Sequence, residues 1–306
     1  MEIALSKYGD LRWTNTSCDY LGVHYEQQPD FSIRADMTAM TKRILAKRQV
    51  TKGADFPSVH NLFEKFDDDG VDYSTNVSDF LSQVMEIHYL TKVRVDIAKE
   101  TNYLSTLGKS PGPVAYKILH HLQAYLYRTV DHYVLFGTDD PTPNLYVDAS
   151  FAPHSRDSKS HGGIYVTLGQ HNGPIYIRSG KIKLVCMSIC EAELYKIVDG
   201  VQHIYSVAKF LEEVGAIPIL QFIVNEDNTA SIIISWAGEN RSTRSKSFRV
   251  RHHFLKQLLE DGTMVIKHCP SEDMIADYLP KGMVGEPFVR LTTIAMGRAR
   301  KGSVKE

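Results

Sequence analysis

The order of strand-like and helix-like segments after residue 144 limits the choice of fold more than any other feature of the sequence. Segments that alternate apolar and polar residues, the period of a half-buried strand, lie at 145–150, 163–168 and 174–182. Further strands are expected at 219–224 and 264–268. Segments with a helical repeat lie at 188–215, near 228–236 and from 270 onward. Ser271 is the expected N-cap of the last helix. The resulting order, β-β-β-α-β-α-β-α, predicts an α/β domain.

The residues before this domain have a different pattern. Residues 19–26 alternate as one strand, 31–34 form its expected hairpin partner, and Asp36 is a candidate cap for the next helix. Apolar residues recur at helical spacing over 77–108 and again over 114–126. Prolines and acids without an apolar anchor mark a boundary at 138–143. The sequence therefore predicts three parts, at 1–57, 58–140 and 144–306.

Composition excludes several classes of protein. Of the 306 residues, 43% are apolar and 23% are charged, which is ordinary for a globular protein and excludes a collagen, a disordered tail or a membrane bundle. The 35 Lys and Arg balance 36 Asp and Glu, so any nucleic-acid site must come from local clustering of charge. The start, MEIALSKYGD, lacks the pattern of a secretory signal. Four scattered cysteines are expected to be reduced thiols of an intracellular protein.

Four carboxylates occupy special positions in this pattern. Asp148 interrupts an otherwise apolar strand, Asp227 ends the strand after the long helix, and Asp277 falls in the predicted last helix. In the long helix, Glu193 lies about 50° from the centre of the apolar stripe and Glu191 about 110° away, at 100° per residue. Glu193 is therefore predicted to face the sheet and Glu191 to face water.

Clustered acids point to metal chemistry. Carboxylates that lie close together repel one another and are costly to bury without a counter-charge. A pair of Mg²⁺ ions ~3.5–4 Å apart supplies that charge, and it can activate a water and stabilise a leaving oxygen in phosphodiester hydrolysis. Taken singly, each acid reads more simply as a capping or solvated residue. The occurrence of all four acids in a domain with this order of strands and helices favours a two-metal site. The candidate catalytic residues and metal ligands are Asp148, Glu193, Asp227 and Asp277. Mn²⁺ is the alternative ion.

Four short motifs follow one another along residues 144–281. They read Tyr146-Val147-Asp148-Ala149-Ser150, Cys190-Glu191-Ala192-Glu193-Leu194-Tyr195, Glu226-Asp227-Asn228-Thr229-Ala230 and Ile275-Ala276-Asp277-Tyr278-Leu279-Pro280-Lys281. In this order and at these intervals they resemble the RNase H domain of copia-type (Pseudoviridae) LTR retrotransposon polyproteins. Upstream, Tyr20-Leu21-Gly22-Val23 and residues 89–98 are similar to the C-terminal part of the reverse transcriptase of the same family.

The resemblance implies a fold and a reaction. The fold is RNase H-like, a mixed five-stranded sheet with flanking helices, preceded by a mostly helical thumb-like segment and a small β/α palm remnant. Asp148 would bridge both Mg²⁺ ions, Asp277 would complete the site of the ion that holds the attacking water, and Glu193 and Asp227 would hold the other ion. The substrate would be the RNA strand of an RNA–DNA hybrid. The polymerase Tyr-x-Asp-Asp motif is not among these residues, so DNA synthesis is not expected.

Several residues are candidates for contacts with nucleic acid. Ser150 and Asn228 adjoin the acids and are candidates for contacts with ribose hydroxyls. A segment without acids, 241–256, flanks the proposed site. Its candidate phosphate-binding residues are Arg241, Arg244, Lys246, Arg249, Arg251 and His253. A solvated charged face is the alternative interpretation, and binding through the segment should be salt-sensitive.

The sequence departs from the family pattern without losing a candidate ligand. Cys190 stands where the family has Thr, Glu226 where it has Cys or Thr, and Leu279-Pro280 precedes Lys281 where Thr is usual. The leading hypothesis is a Mg²⁺-dependent endoribonuclease. The alternative is a catalytically silent nucleic-acid-binding or assembly module derived from a retrotransposon. Expected partners are the hybrid and the remainder of the polyprotein, without a membrane. The expected location is intracellular, in a cytoplasmic virus-like particle or the nucleus.

Overall fold

The N-terminal part of the chain forms a four-stranded antiparallel sheet. The computed structural model describes residues 16–59, 61–66, 77–137, 140–170, 172–237 and 246–299, with only the backbone at 246–248. The strands, in sheet order, are β1 (Ser17–Tyr20), β2 (Val23–Gln27), β3 (Ile33–Asp36) and β4 (Tyr133–Phe136). The prediction of one strand over 19–26 is wrong. Leu21 and Gly22 have positive φ, of 49° and 76°, and make a two-residue hairpin turn between β1 and β2.

Between β3 and β4, the described residues form four α-helices. They are α1 (Thr38–Lys47), α2 (Val77–Leu90), α3 (Ala98–Thr106) and α4 (Pro113–Arg128). Pro113 opens α4, where a missing backbone N–H costs nothing. The helical repeat over 77–108 is in fact two helices separated by a turn. The turn directs the Arg94 guanidinium inward, where it pairs with Asp96 and with Thr129 at the end of α4.

The second sheet has the mixed arrangement that the sequence analysis predicted. Its strands are β5 (Pro143–His154), β6 (Lys159–Leu168), β7 (Pro174–Lys181), β8 (Phe222–Glu226) and β9 (Met264–His268). The sheet order is β7-β6-β5-β8-β9. The pairs β5–β6 and β6–β7 are antiparallel, whereas β5–β8 and β8–β9 are parallel. Each parallel connection therefore crosses the sheet through helices.

Helices cover both faces of this sheet. The connections contain α5 (Ile189–Glu213), α6 (Thr229–Ala237) and α7 (Lys246–Glu260), and α8 (Glu286–Ala295) follows β9. One core joins α5 and α7 to Leu145 and Val147 of β5. The other core joins the opposite face, at Tyr146 and Tyr165, to α2, α3, α4 and residues 274–296. The helical block therefore packs against the mixed sheet, and the predicted boundary near 140–144 stays a prediction.

The predicted last helix from 270 is wrong. The chain there forms two short 3₁₀ turns, Ser271–Asp273 and Ile275–Tyr278, and Ser271 does not cap a helix. The residues from Met274 to Leu279 are all buried, which one face of an amphipathic helix cannot achieve. The Oγ of Ser271 instead donates a hydrogen bond to Asp227 Oδ2, at 3.1 Å. Among the described residues, no helix combines the length and apolarity needed to cross a bilayer.

Candidate active site

Asp148 lies on β5, the central strand of the mixed sheet. Its side chain is 2% exposed, although the residue is an acid in a strand of apolar neighbours. The parallel β5–β8 register pairs Tyr146 with Asn225, and its continuation places Asp148 beside Asp227, directly after the end of β8. The crossover connection thus brings together two acids that are far apart in sequence.

The start of α5 decides which of its two glutamates enters the site. Ser188 Oγ accepts a hydrogen bond from the Glu191 backbone N–H at 3.2 Å, and the Glu191 carboxylate accepts one from the Met187 N–H at 2.7 Å. Glu191 therefore serves as a capping residue at the surface end of the helix. Glu193, two positions on, is 2% exposed and faces the protein interior, as predicted.

Asp277 reaches the site from the second 3₁₀ turn, not from a helix. The turn lies directly against β6 at Gly163, which is the ladder partner of Asp148. A Cβ at Gly163 would lie 2.5 Å from the Leu279 Cβ and 3.1 Å from the Ala276 carbonyl oxygen. Only a glycine therefore lets the turn approach closely enough to bring Asp277 to the central strand.

The acids meet in two overlapping groups. One carboxylate oxygen from each of Asp148, Asp227 and Asp277 lies within 4.8 Å of the others, and the same holds for Glu193, Glu226 and Asp227. The structure thus brings the four predicted acids together and adds Glu226, which sequence reasoning noted only as a departure from a pattern. The signal that could have identified Glu226 is an acid at the end of a buried strand, next to another acid. Asp227 is the carboxylate common to both groups, and the role of Asp148 as the bridge between two ions stays a prediction.

The group is short of positive charge. Burial raises the pKa of Asp148 to about 7 and that of Glu226 to about 8. Burial and the nearby Glu226 carboxylate raise the pKa of Glu193 well above its ordinary value. The Oε2 atoms of Glu193 and Glu226 are buried without a hydrogen-bond partner. Such groups are costly unless they share protons or gain a cation.

One lysine partly compensates the acids. The Nζ of Lys281 lies 2.7 Å from Asp277 Oδ1 and 3.1 Å from Asp148 Oδ2. Burial works against its charge, but the Asp148 and Asp277 carboxylates outweigh burial and raise the pKa of Lys281. Its backbone carbonyl accepts a hydrogen bond from the buried Lys99 ammonium of α3 at 2.8 Å. The helical block thereby contacts the segment that carries Asp277.

The donor set fits divalent metal ions. Every candidate ligand atom is a carboxylate oxygen, the donor type that Mg²⁺ and Mn²⁺ prefer. The unpartnered oxygens of Glu193 and Glu226 are the further observation that favours a cation, because the described residues supply neither atom with a donor.

The predicted nucleic-acid residues are distributed around this cluster. Ser150 and Asn228 are partly exposed, and Asn228 Oδ1 caps α6 by accepting hydrogen bonds from the N–H groups of Ala230 and Ser231. On α7, Arg249 and His253 are exposed. The Arg251 guanidinium lies 4.9 Å from the centre of the Tyr195 ring on α5. Arg241 and Arg244 lie outside the described residues, and for Lys246 only the backbone is described. These roles stay predictions.

The strand order and strand directions of the second sheet, with acids collected at its central strand, define an RNase H-like domain. Comparison with curated proteins identifies the chain's homologues as retrovirus-related Pol polyproteins of copia-type transposons. The chain is 26% identical over 254 residues to the Retrovirus-related Pol polyprotein from transposon RE1 of Arabidopsis thaliana, covering 83% of this chain and 17% of that polyprotein. It is 23% identical over 206 residues to a truncated transposon Ty1-A Gag-Pol polyprotein of Saccharomyces cerevisiae, covering 66% of this chain and 17% of that polyprotein.

Solved structures similar to this chain are RNases H. LC11-RNase H1 in complex with an RNA/DNA hybrid is 14% identical, covers 45% of this chain and 93% of its own, and gives a TM-score of 0.31. RNase H1 from Halobacterium salinarum is 16% identical, covers 45% of this chain and 93% of its own, and gives a TM-score of 0.30. No protein-family model matches the chain. The chain spans 17% of the length of the RE1 polyprotein.

Proposed function

We propose that the chain carries a ribonuclease H that hydrolyses the RNA strand of RNA–DNA hybrids. The observation that carries the proposal is the convergence of Asp148, Glu193, Asp227 and Asp277 from four separate elements of an RNase H-like domain. These acids share few donors in the described part of the chain. A cluster of this kind is costly for folding, and divalent metal ions are the chemistry that offsets the cost.

The residues of the chain would divide the work. Divalent ions, when bound, supply an activated water and charge compensation at the leaving oxygen. Asp148 and Asp277 would hold one side of the metal site, and Glu193 would hold the other, with Asp227 common to both groups. Burial of Asp148 and Glu193 excludes water from the carboxylates, so their charge acts on bound cations with little screening.

Binding of the hybrid would use surfaces beside the acids. Ser150, within β5, and Asn228, directly before α6, are partly exposed and adjoin the acids, where ribose hydroxyls would approach. Arg249 and His253 on α7 present exposed polar groups suited to the phosphate backbone. This part of the proposal predicts weaker binding as salt concentration rises.

The test is cleavage of an end-labelled RNA–DNA hybrid in Mg²⁺, with the wild-type chain beside Asp148→Asn. Cleavage by the wild type and its loss in the variant by roughly 10²-fold or more are expected, since a preorganised charge is removed. Glu191→Gln is the matched control, because it changes an acid on the same helix as Glu193 that caps that helix instead of entering the cluster. A folded wild type that binds the hybrid and does not cleave it in Mg²⁺ or Mn²⁺ would favour the silent binding module.

The polyprotein context extends the proposal. The chain matches part of Pol and Gag-Pol polyproteins, so we propose that it works with the remainder of such a polyprotein. The cellular location, in a cytoplasmic particle or the nucleus, stays a prediction.

A further inference from the structure

Glu226 is the acid in the cluster to which the resemblance assigns no role. It is the last residue of β8 and its side chain is fully buried. One carboxylate oxygen, Oε1, accepts a hydrogen bond from the Asn228 backbone N–H at 3.1 Å. The other, Oε2, is buried without a hydrogen-bond partner. The hydrogen bond to the next turn therefore uses one oxygen and leaves the other buried without a partner.

The buried Glu226 carboxylate lies among other acids. Ligand oxygens of Glu193, Glu226 and Asp227 are within 4.8 Å of one another, and Glu193 Oε2 is also buried without a hydrogen-bond partner. Within the described ranges, neither Glu193 nor Glu226 forms an ion pair. Two buried carboxylates that lie this close together and each have an unpartnered oxygen are costly unless they share protons or bind a cation.

The other half of the cluster differs, because it already contains a cation. The Lys281 ammonium lies between Asp148 and Asp277, at 3.1 Å and 2.7 Å. A metal ion entering there must compete with this ammonium, whereas no Lys or Arg of the described residues forms an ion pair with Glu193 or Glu226. Five carboxylates and one ammonium leave four negative charges, which two divalent cations would balance.

We propose that Glu226 is a metal ligand, and that Glu193, Glu226 and Asp227 form the site at which this chain binds its first divalent cation. Binding of the cation does not depend on the proposed ribonuclease function, but a role of the bound ion in hydrolysis rests on that function. Asp148 and Asp277 would hold a second ion, in competition with the Lys281 ammonium.

The test is titration of the metal-free chain with Mn²⁺ and with Mg²⁺ by calorimetry, without nucleic acid. Glu226→Gln keeps an oxygen that can accept from the Asn228 N–H and removes the charge of the side chain. We expect the variant to lose the tighter binding event by about tenfold or more, and to show a smaller rise in Tm on adding Mn²⁺. Glu191→Gln is the control and should bind as the wild type does. Wild-type affinity in Glu226→Gln would overturn the inference.

Two further measurements keep the outcome interpretable. Circular dichroism and Tm in EDTA establish that Glu226→Gln is folded. If it is not, Glu193→Gln tests the same site, and its unchanged affinity would also overturn the inference. Hybrid cleavage is assayed separately. If Glu226→Gln loses metal affinity and the wild type does not cleave the hybrid, the cation site is supported and the ribonuclease function is rejected. If Glu226→Gln binds metal as the wild type does and still cleaves the hybrid, the ribonuclease function is supported and the cation site at Glu226 is rejected.

Discussion

The Arg94–Asp96 pair in the helical block and the carboxylates around Asp148 are both removed from water, but only the first group is satisfied by the chain itself. Asp96 accepts two hydrogen bonds from the Arg94 guanidinium, at 3.0 and 2.8 Å, and a third from the Tyr125 hydroxyl at 2.7 Å. The guanidinium also donates to the Thr129 carbonyl and hydroxyl. Charge and hydrogen-bonding capacity are therefore matched within a few residues.

The acid cluster lacks this internal compensation. Five carboxylates share one ammonium, from Lys281, and the Oε2 atoms of Glu193 and Glu226 are buried without a hydrogen-bond partner. A buried ion pair with all its hydrogen bonds formed stabilises one conformation of the turn between two helices. Buried acids without partners remain partly protonated in the metal-free chain, and they ionise fully when cations bind. The difference separates a structural element from a binding site, and it can be tested by removing charge from each.

The largest effect is expected from Asp96→Asn. The substitution leaves the buried Arg94 guanidinium without its counter-charge, so the free energy of unfolding should fall by ~3–5 kcal/mol. Asp148→Asn is the matched change in the cluster and should leave stability in EDTA unchanged or raise it, because it removes like-charge repulsion. Urea unfolding of both variants in EDTA measures this. Equal destabilisation by the two changes would erase the distinction between the regions.

The pH dependence of stability should separate the two groups next. The Arg94 guanidinium holds the pKa of Asp96 well below its ordinary value, against the effect of burial, so the stability it contributes is present above that ordinary value, near 4, and is lost as pH falls below it. Burial raises the pKa of Asp148 to about 7 and of Glu226 to about 8, so these groups destabilise the metal-free chain increasingly as pH rises from about 4 to about 8.

Measuring Tm in EDTA across pH 3–9 tests both expectations, the loss of stability at acidic pH (the acidic limb) and the loss at alkaline pH (the alkaline limb). We expect a maximum near mildly acidic pH, and saturating Mg²⁺ should restore Tm on the alkaline side by binding the ionised cluster. Asp148→Asn should flatten the alkaline limb and leave the acidic limb alone. An alkaline limb that neither Mg²⁺ nor this variant changes would locate its origin outside the cluster.

A smaller effect is expected from Lys281→Met. The change removes the one ammonium that contacts the cluster in the described residues, so Tm in EDTA should fall at neutral pH and divalent cations should bind several-fold more tightly. Calorimetric titration with Mg²⁺ measures the second expectation. Weaker binding in the variant would mean that the lysine supports the bound ion instead of competing with it. Lys256→Met, on α7, is the matched control.

The smallest effect concerns the basic surface. Arg249 is exposed on α7, and its replacement by alanine should weaken hybrid binding modestly and reduce the slope of log Kd against log salt by about 1. Lys209→Ala, on the exposed side of α5, should leave the slope unchanged. Fluorescence anisotropy at several salt concentrations measures both variants. An unaltered slope in Arg249→Ala would remove this residue from the proposed interface.

The sequence by itself determined the features that depend on local periodicity. The positions of β5, β6 and β9, the length and inward face of α5, and the choice of Glu193 over Glu191 all follow from local sequence pattern, and the structure confirms each. The half-buried character expected of β5 and β6 is wrong, because a core covers each face of the sheet. The order of the acidic motifs, which supports the proposed chemistry, was also visible without coordinates.

Only the tertiary structure decided what lies between elements that are distant in sequence. The 3₁₀ turn that carries Asp277 replaces the expected helix, because every residue in it is buried and the chain at Ala276 and Leu279 packs against Gly163. The entry of Glu226 into the cluster and the position of Lys281 between Asp148 and Asp277 depend on the β5–β8 crossover and on packing of the helical block through Lys99. Local periodicity describes one element at a time, and the site is formed where four elements meet.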